Sequence, residues 1–427
     1  MADLGARLRG LVADTRPLRT PTFRRLFYAN IVTVIGAQLT VVAVPAQIFA
    51  ITESSAYVGL TGLFGLVPLV VFGLYGGALA DHLDRRTLLI LTTVGIIATS
   101  AAFFVQAALH LNNVWVLLGI FAVQQACFAI NQPARSSILP KLLPLDQLPA
   151  AQALSMTVMS FGAIAGPLVG GALIPVLGYP ALYLIDTFCL LATLYAVVKL
   201  PPLPVESTLG SPGLRAVLDG FAYLRGRTVL LMSFVVDLIA MVFGMARALF
   251  PQIAHETFGG PAEGGVEFAL LYAAMPVGVL LGGVFSGWVS RVRRTGRAVI
   301  WAILGWGVAM AVFGLAVGFA PGMVLPMLVV ALAAQAAGGA ADMASSAFRN
   351  AILLGAAEDS VRGRLQGIFI VVVAGGPRVA DVLHGLAASA VGTAWAAGAG
   401  GVLVVLLLLA VTAAAPEFGR FRLADAT

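Results

Sequence analysis

The sequence predicts an all-α polytopic membrane protein, with twelve transmembrane helices in two six-helix pseudo-symmetric bundles. Three observations carry this. The chain is 60% hydrophobic and only 10% charged, against about 25% charge in a soluble domain. Its apolar residues gather into twelve stretches, each of a length that crosses a hydrocarbon core, which takes about 20 residues. Of 25 lysines and arginines, 23 fall at span ends or in connections that share one side, none falls in the connections on the other, and only Arg247 and Arg378 lie within the spans. Basic residues collect on the cytoplasmic side of a membrane, so both termini are expected there.

Residues 1–24 form a basic segment with Arg7, Arg9, Arg16 and Arg19 and no separate apolar run before the first span. A cleavable signal peptide is therefore not expected. The N-terminal bundle, 25–200, holds spans at about 25–50, 57–80, 88–109, 114–134, 152–176 and 180–199. Residues 201–228 are rich in proline, glycine and charge and read as a cytoplasmic linker. The C-terminal bundle, 229–412, holds spans at about 229–254, 268–289, 298–319, 322–346, 365–388 and 392–412, and a tail, 413–427, follows. The outer connections carry Glu53, Glu256, Glu263 and Glu267, while the inner ones carry Arg85, Arg86, Lys141, Arg215, Arg291 and Arg362 among others.

The two halves echo each other. Pro45 and Pro251 close outward-running spans, Gly76–Gly77 and Gly282–Gly283 end the next, and Arg135 and Arg349 close the fourth and tenth. A twofold repeat lets one bundle rock against the other around a central site, which is the requirement of alternating access.

Several function classes are disfavoured. The net charge of +6 is dispersed over short loops beside apolar spans, where it suits anionic lipid rather than nucleic acid. Cys127 and Cys189 lie in spans, so no extracellular disulfide framework is expected. The four histidines are scattered without a metal-ligand spacing, no serine–histidine–acid grouping suggests a hydrolase, and no cofactor is expected. No phosphate-binding Gly-x-x-x-x-Gly-Lys-Ser/Thr loop occurs, which leaves an ion gradient, the substrate gradient or a partner as the energy source.

Charged groups inside spans cost several kcal/mol unless paired or hydrated, and so mark function. Asp237 and Arg247 share span seven; Arg378 and Asp381 lie three residues apart in span eleven, with His384 three further on. Asp237 is the first candidate proton carrier provided its neighbours are apolar, and Asp381 the second. Asp186 and Asp342 read as interfacial or structural. In span four, Gln124, Asn131 and Arg135 share one helix face, with Gln125 in the next sector; in span one, Gln38 and Gln47 lie on nearly opposite faces, so at most one addresses the centre. Gln38, Gln124, Asn131, Arg247 and Arg378 make up the candidate substrate cavity, with polar interhelix clamping as the alternative for the amides.

After span two the chain reads Gly77-Ala-Leu-Ala-Asp81-His-Leu-Asp84-Arg85-Arg86, and in span five Gly162-Ala-Ile-Ala-Gly166-Pro167-Leu-Val-Gly170-Gly171. The first resembles the loop motif of the Major Facilitator Superfamily of secondary transporters, with Asp84 where glycine is usual; the second resembles the motif of that superfamily's antiporters. Phe23-Arg24, Arg247-Ala-Leu-Phe-Pro251, Leu271-Tyr-Ala-Ala-Met-Pro276, Gly363-Arg364-Leu-Gln-Gly367 and Arg420-Phe-Arg422 further resemble bacterial siderophore exporters of the enterobactin type, whose relatives export drugs.

The resemblance implies a conformational latch in which Asp81, with Arg85 and Arg86, meets the start of span eleven near Arg362 and Gly363 and favours the outward-open state. An anion at a helix N-terminus is favourable on its own account. It also implies that the stripe of Gly162, Gly166, Pro167 and Gly170 packs on Gly278 and Gly282 of span eight. Close helix approach is what such stripes permit in lipid.

The expected function is secondary active export, by proton antiport, of a metal-free siderophore or similar amphipathic small molecule across the bacterial inner membrane. The expected partners are the substrate, protons and membrane lipids, with the chain acting as a monomer. Multidrug or macrolide efflux is the alternative, and a lipid flippase or a non-transporting receptor the more distant ones.

Overall fold

The computed structural model describes residues 14–136, 138–201, 223–356 and 359–422; the side chains of 74–82 and 354–371, among a few others, are outside the description. Most of the predicted linker and the outermost termini also fall outside the described residues.

The described chain is helical throughout. Its first spans are α1 (Pro21–Thr52), α2 (Ser55–His82), α3 (Arg85–Ala108) and α4 (Val114–Ser136). A continuous helical run, Leu148–Val198, is broken where Gly178 takes φ 71° and ψ 168°, a left-handed backbone that favours glycine. This separates α5 (148–177) from α6 (179–198). Next come α7 (Thr228–Thr257), α8 (Val266–Val284), α9 (Thr295–Gly318), α10 (Val324–Ala356), α11 (Asp359–Val391) and α12 (Thr393–Ala414).

Helix limits differ from the sequence expectation in two informative places. Span eight ends at Val284 and continues only as a 3-10 turn, Ser286–Arg291. Span ten runs on to Ala356, so Arg349, expected to close it, lies inside the bundle with 3% exposure.

Exposed apolar residues such as Trp301, Leu315 and Leu406 line the outer faces of α9 and α12, as lipid contact requires. Exposed tryptophans stand near both ends of the helices, Trp288 and Trp301 at one and Trp115 and Trp395 at the other, the positions where amphipathic rings meet headgroups.

Within the bundles glycines set the spacing, and here the expected partner of the span-five stripe is corrected. A Cβ on Gly162 would strike Val34, one on Gly166 would strike Gln38, and one on Gly170 would press on Leu39, all of α1. Gly278 and Gly282 likewise face Ala336 and Ala340 of α10. The stripes therefore hold each bundle together. Only the adjacent Gly171 reaches α8, at Ala269, where the Gly171 carbonyl also accepts a hydrogen bond of 3.1 Å from the Gly265 amide.

The two bundles join toward the end opposite the chain termini. Tyr179 Oη donates to the Glu263 carbonyl at 2.7 Å, and Ser55 Oγ to Gln252 Oε1 at 2.6 Å. Gly59 and Gly62 of α2 abut the backbone of Asp381 and Arg378, and Gly385 abuts that of Ser55 and Gly59. At the terminus end, by contrast, α5 and α8 turn their glycines to their own bundles. The central space is thus closed at the far end.

Candidate functional site

Between the bundles lies a cavity of about 340 Å³, lined by α1, α2, α3, α4, α6, α7, α8 and α11. Its walls are largely apolar, with a few polar groups that converge from different helices. Arg247 is placed by a break in α7. The α-helix stops at Gly244, Met245 and Ala246 leave helical geometry, and the chain resumes as a 3-10 turn, Arg247–Leu249. Such a break strands backbone carbonyls that apolar surroundings cannot satisfy. His384 Nε2 lies 3.1 Å from the Phe243 carbonyl, and Trp306 Nε1 donates to the Ala240 carbonyl at 3.2 Å. His384, noted in the sequence as a third titratable group, therefore has a backbone partner at the break.

Arg247 forks onto Asp381: Nε donates to Oδ1 at 3.0 Å and Nη2 to Oδ2 at 2.7 Å. The sequence spacing points to Arg378 as the partner of Asp381, and that pairing is corrected. Arg378 instead donates to the Ala374 carbonyl at 2.7 Å and across the cavity to Gln125 Oε1 of α4 at 2.9 Å. Three residues on a helix bring two Cα positions to one side, but α2 approaches so closely at Gly62 that the long Arg378 side chain runs toward α4 beside Gly65.

Asp237 does not face the cavity. It is fully buried and ion-paired with Arg349 of α10, so the condition set on it, apolar neighbours, is not met. Arg349 Nε also donates to Ser345 Oγ at 3.1 Å.

The candidate cavity residues divide. Gln124, Arg247 and Arg378 line the central space. Gln38 packs on Gly166 away from it. Asn131 donates to Thr92 Oγ1 at 2.8 Å and lines a smaller pocket of about 80 Å³ nearer the terminus end, beside Arg135, which donates to Asn30. Gln47 is buried in a clamp, accepting from Gln106 Nε2 at 3.0 Å and Tyr183 Oη at 2.9 Å.

The cavity role of two lining residues in particular was not legible in the sequence. Tyr272 of α8 is an apolar-span tyrosine with no flanking signal. Asp186 of α6, read from its position near a span end as interfacial or structural, is buried against the cavity wall.

Of the latch residues, the side chains of Asp81 and of its expected partner Arg362 are outside the description. Asp84 caps α3, its Oδ1 accepting from the Thr87 amide at 2.9 Å; with φ −52° it needs no glycine, which accounts for the departure from the motif. Arg86 donates to the Val198 carbonyl at the end of α6 at 2.7 Å, inside its own bundle.

A family profile described as transmembrane secretion effector matches residues 12–423. The enterobactin exporter EntS of Shigella boydii is 28% identical over 419 residues, covering 94% of each chain. That of Escherichia fergusonii is equally similar, at 28% identity over 419 residues. Among solved structures, the nucleoside transporter NupG superposes with TM-score 0.70 at 11% identity, covering 92% of this chain and 98% of its own. A D-xylose–proton symporter superposes with TM-score 0.71 at 14% identity, covering 94% of this chain and 100% of its own.

Proposed function

We propose that this chain, which belongs to the transmembrane secretion effector family of the major facilitator superfamily, exports a metal-free siderophore or similar oxygen-rich amphipathic molecule in exchange for protons. It is a multi-pass membrane transporter; the inner membrane of a bacterium, with both termini cytoplasmic, is the location that its basic-residue distribution supports. On that orientation the structure is closed to the outside, the state in which an exporter loads.

The observation that carries the substrate reading is Arg378. It reaches the cavity held by a carbonyl and an amide oxygen, without a carboxylate among its hydrogen-bond partners in the described residues. A cation so placed favours ligands rich in anionic or polarised oxygens, and Gln124 adds a directional amide. Apolar walls around a few convergent polar groups are the usual form of a small-molecule site, and the volume lies at the lower end of the usual range of about 300–1,000 Å³. The similarity to enterobactin exporters brings siderophores to this chain in particular. Because the cavity lies between two bundles of one chain, the working unit is the monomer, surrounded by membrane lipid.

The test is secretion from a deletion strain under iron starvation, with drug susceptibility followed in parallel. Siderophore in the medium should fall, and Arg378→Gln should fail to restore it while wild type does. Unchanged secretion with increased drug sensitivity would overturn the siderophore reading in favour of multidrug efflux.

A further inference from the structure

Asp237 and Asp381 are poor vehicles for a proton because each is held by an arginine. Guanidinium groups only donate hydrogen bonds and stay charged, so a proton on Asp237 would leave Arg349 uncompensated in a sealed interior, and one on Asp381 would break the charge-assisted fork with Arg247. Asp186 differs in kind. It is 2% exposed, lies at the wall of the central cavity and has no ion-pair partner among the described residues. Its Oδ2 accepts from Thr40 Oγ1 of α1 at 2.6 Å and from Ser100 Oγ of α3 at 3.0 Å. Its Oδ1 is buried without a hydrogen-bond partner, facing Gly36, where a Cβ would come within 2.8 Å of it.

Hydroxyls rotate. Thr40 and Ser100 can donate to a carboxylate or accept from a carboxylic acid, and Thr187 Oγ1, 3.1 Å from Ser100 Oγ, can reorient with them. This shell accommodates either form of Asp186 without moving a helix. The titratable groups that interact with it are Tyr183 and Cys189, each about one turn away on α6; α1 meets it with Gly36 and Thr40, and α3 with Ser100. Across the cavity stand the Arg247–Asp381 pair, Tyr272 and Arg378.

We infer that Asp186 is the proton-binding carboxyl of the transport cycle, set in a hydroxyl shell that joins α1, α3 and α6 at the cavity wall. Antiport requires that proton and substrate exclude each other. An occupant donating an O–H to Thr40 is held best when that hydroxyl passes its own hydrogen bond to a carboxylate, and a proton on Asp186 leaves the weaker neutral acceptor in its place.

The assignment rests on proton-coupled export, and its test keeps the two apart. The purified wild-type protein is treated with dicyclohexylcarbodiimide, which attacks protonated carboxyls in apolar surroundings, across a pH series, and adducts are mapped by mass spectrometry. Labelling is expected at Asp186, declining as pH rises, with Asp237 and Asp381 unlabelled. In infrared difference spectra between acid and alkaline pH, Asp186→Asn should lose a protonated-carboxyl band that Asp237→Asn and Asp381→Asn keep, and Asp186→Glu should retain it at a shifted frequency. Adducts on Asp237 or Asp381 with none on Asp186 would overturn the assignment, and the wild-type labelling decides this even where a variant fails to fold. Transport that ignores pH would instead defeat proton coupling itself.

Discussion

Four charged residues in the C-terminal bundle, Asp237, Arg247, Arg349 and Asp381, form two separate ion pairs that differ in what surrounds them. The Asp237–Arg349 pair is sealed on both sides, with 0% and 3% exposure. Removing one member of such a pair leaves an uncompensated buried charge and typically costs about 3–5 kcal/mol, whereas replacing both with apolar residues is often neutral. Asp237→Ala should therefore lower the thermal stability of the purified protein sharply, and Asp237→Ala combined with Arg349→Met should recover most of the loss; a stable single variant would refute the pairing. The Arg247–Asp381 fork stands at the cavity instead, where its geometry is what matters. Arg247→Lys keeps the charge but loses the two-pronged fit, so it should impair transport more than it lowers stability, measured by uptake and melting of the same preparation. The sequence placed Asp237, Arg247 and Asp381 inside spans but Arg349 at a span end, and it did not give their partners, because both pairs bridge helices far apart in the chain. Local spacing favoured Arg378 for Asp381, and only the approach of α2 redirected that side chain to Gln125.

At the scale of the helix, glycines do two different jobs that one sequence pattern does not distinguish. The α5 stripe lets α1 in, and Gly166→Val would drive a branched side chain into Gln38. Overpacking of this kind costs about 1–3 kcal/mol and should reduce folded yield without altering which side of the cavity is open. Gly62 instead sits at the closure between bundles, where an added methyl meets the Arg378 carbonyl. Gly62→Ala should therefore pry the far end apart. A cysteine placed at Thr61, which lines the cavity, should then react faster with a membrane-impermeant thiol reagent added from that side; an unchanged rate would argue that this contact does not hold the closed state. Spans, their order and their repeat were legible because hydrophobic length is a one-dimensional property. Helix partners were not, since a four-residue glycine spacing fixes a face but not what packs on it. The break in α7 was only partly marked: Gly244 and Pro251 flank it in the sequence, but the groups that make it tolerable, His384 and Trp306, come from α11 and α9.

For the whole molecule, two bundles joined at one end around a partly polar cavity are one of the two states that alternating access needs, and the pseudo-repeat supplies the symmetry by which the other is reached. Among the described residues, closure at the far end rests on close backbone approach and a few hydrogen bonds, not on interlocked charges between bundles, so a modest change in binding free energy can tip it. The measurement that tests the central claim most directly uses the purified protein in liposomes with its terminus end facing the medium. Metal-free enterobactin is added outside as the probe, and luminal pH and accumulated probe are followed together. The account predicts that the probe accumulates in an acid lumen while that lumen turns alkaline, as protons leave in exchange. Accumulation that is the same without a pH gradient, with no change in luminal pH, would contradict it.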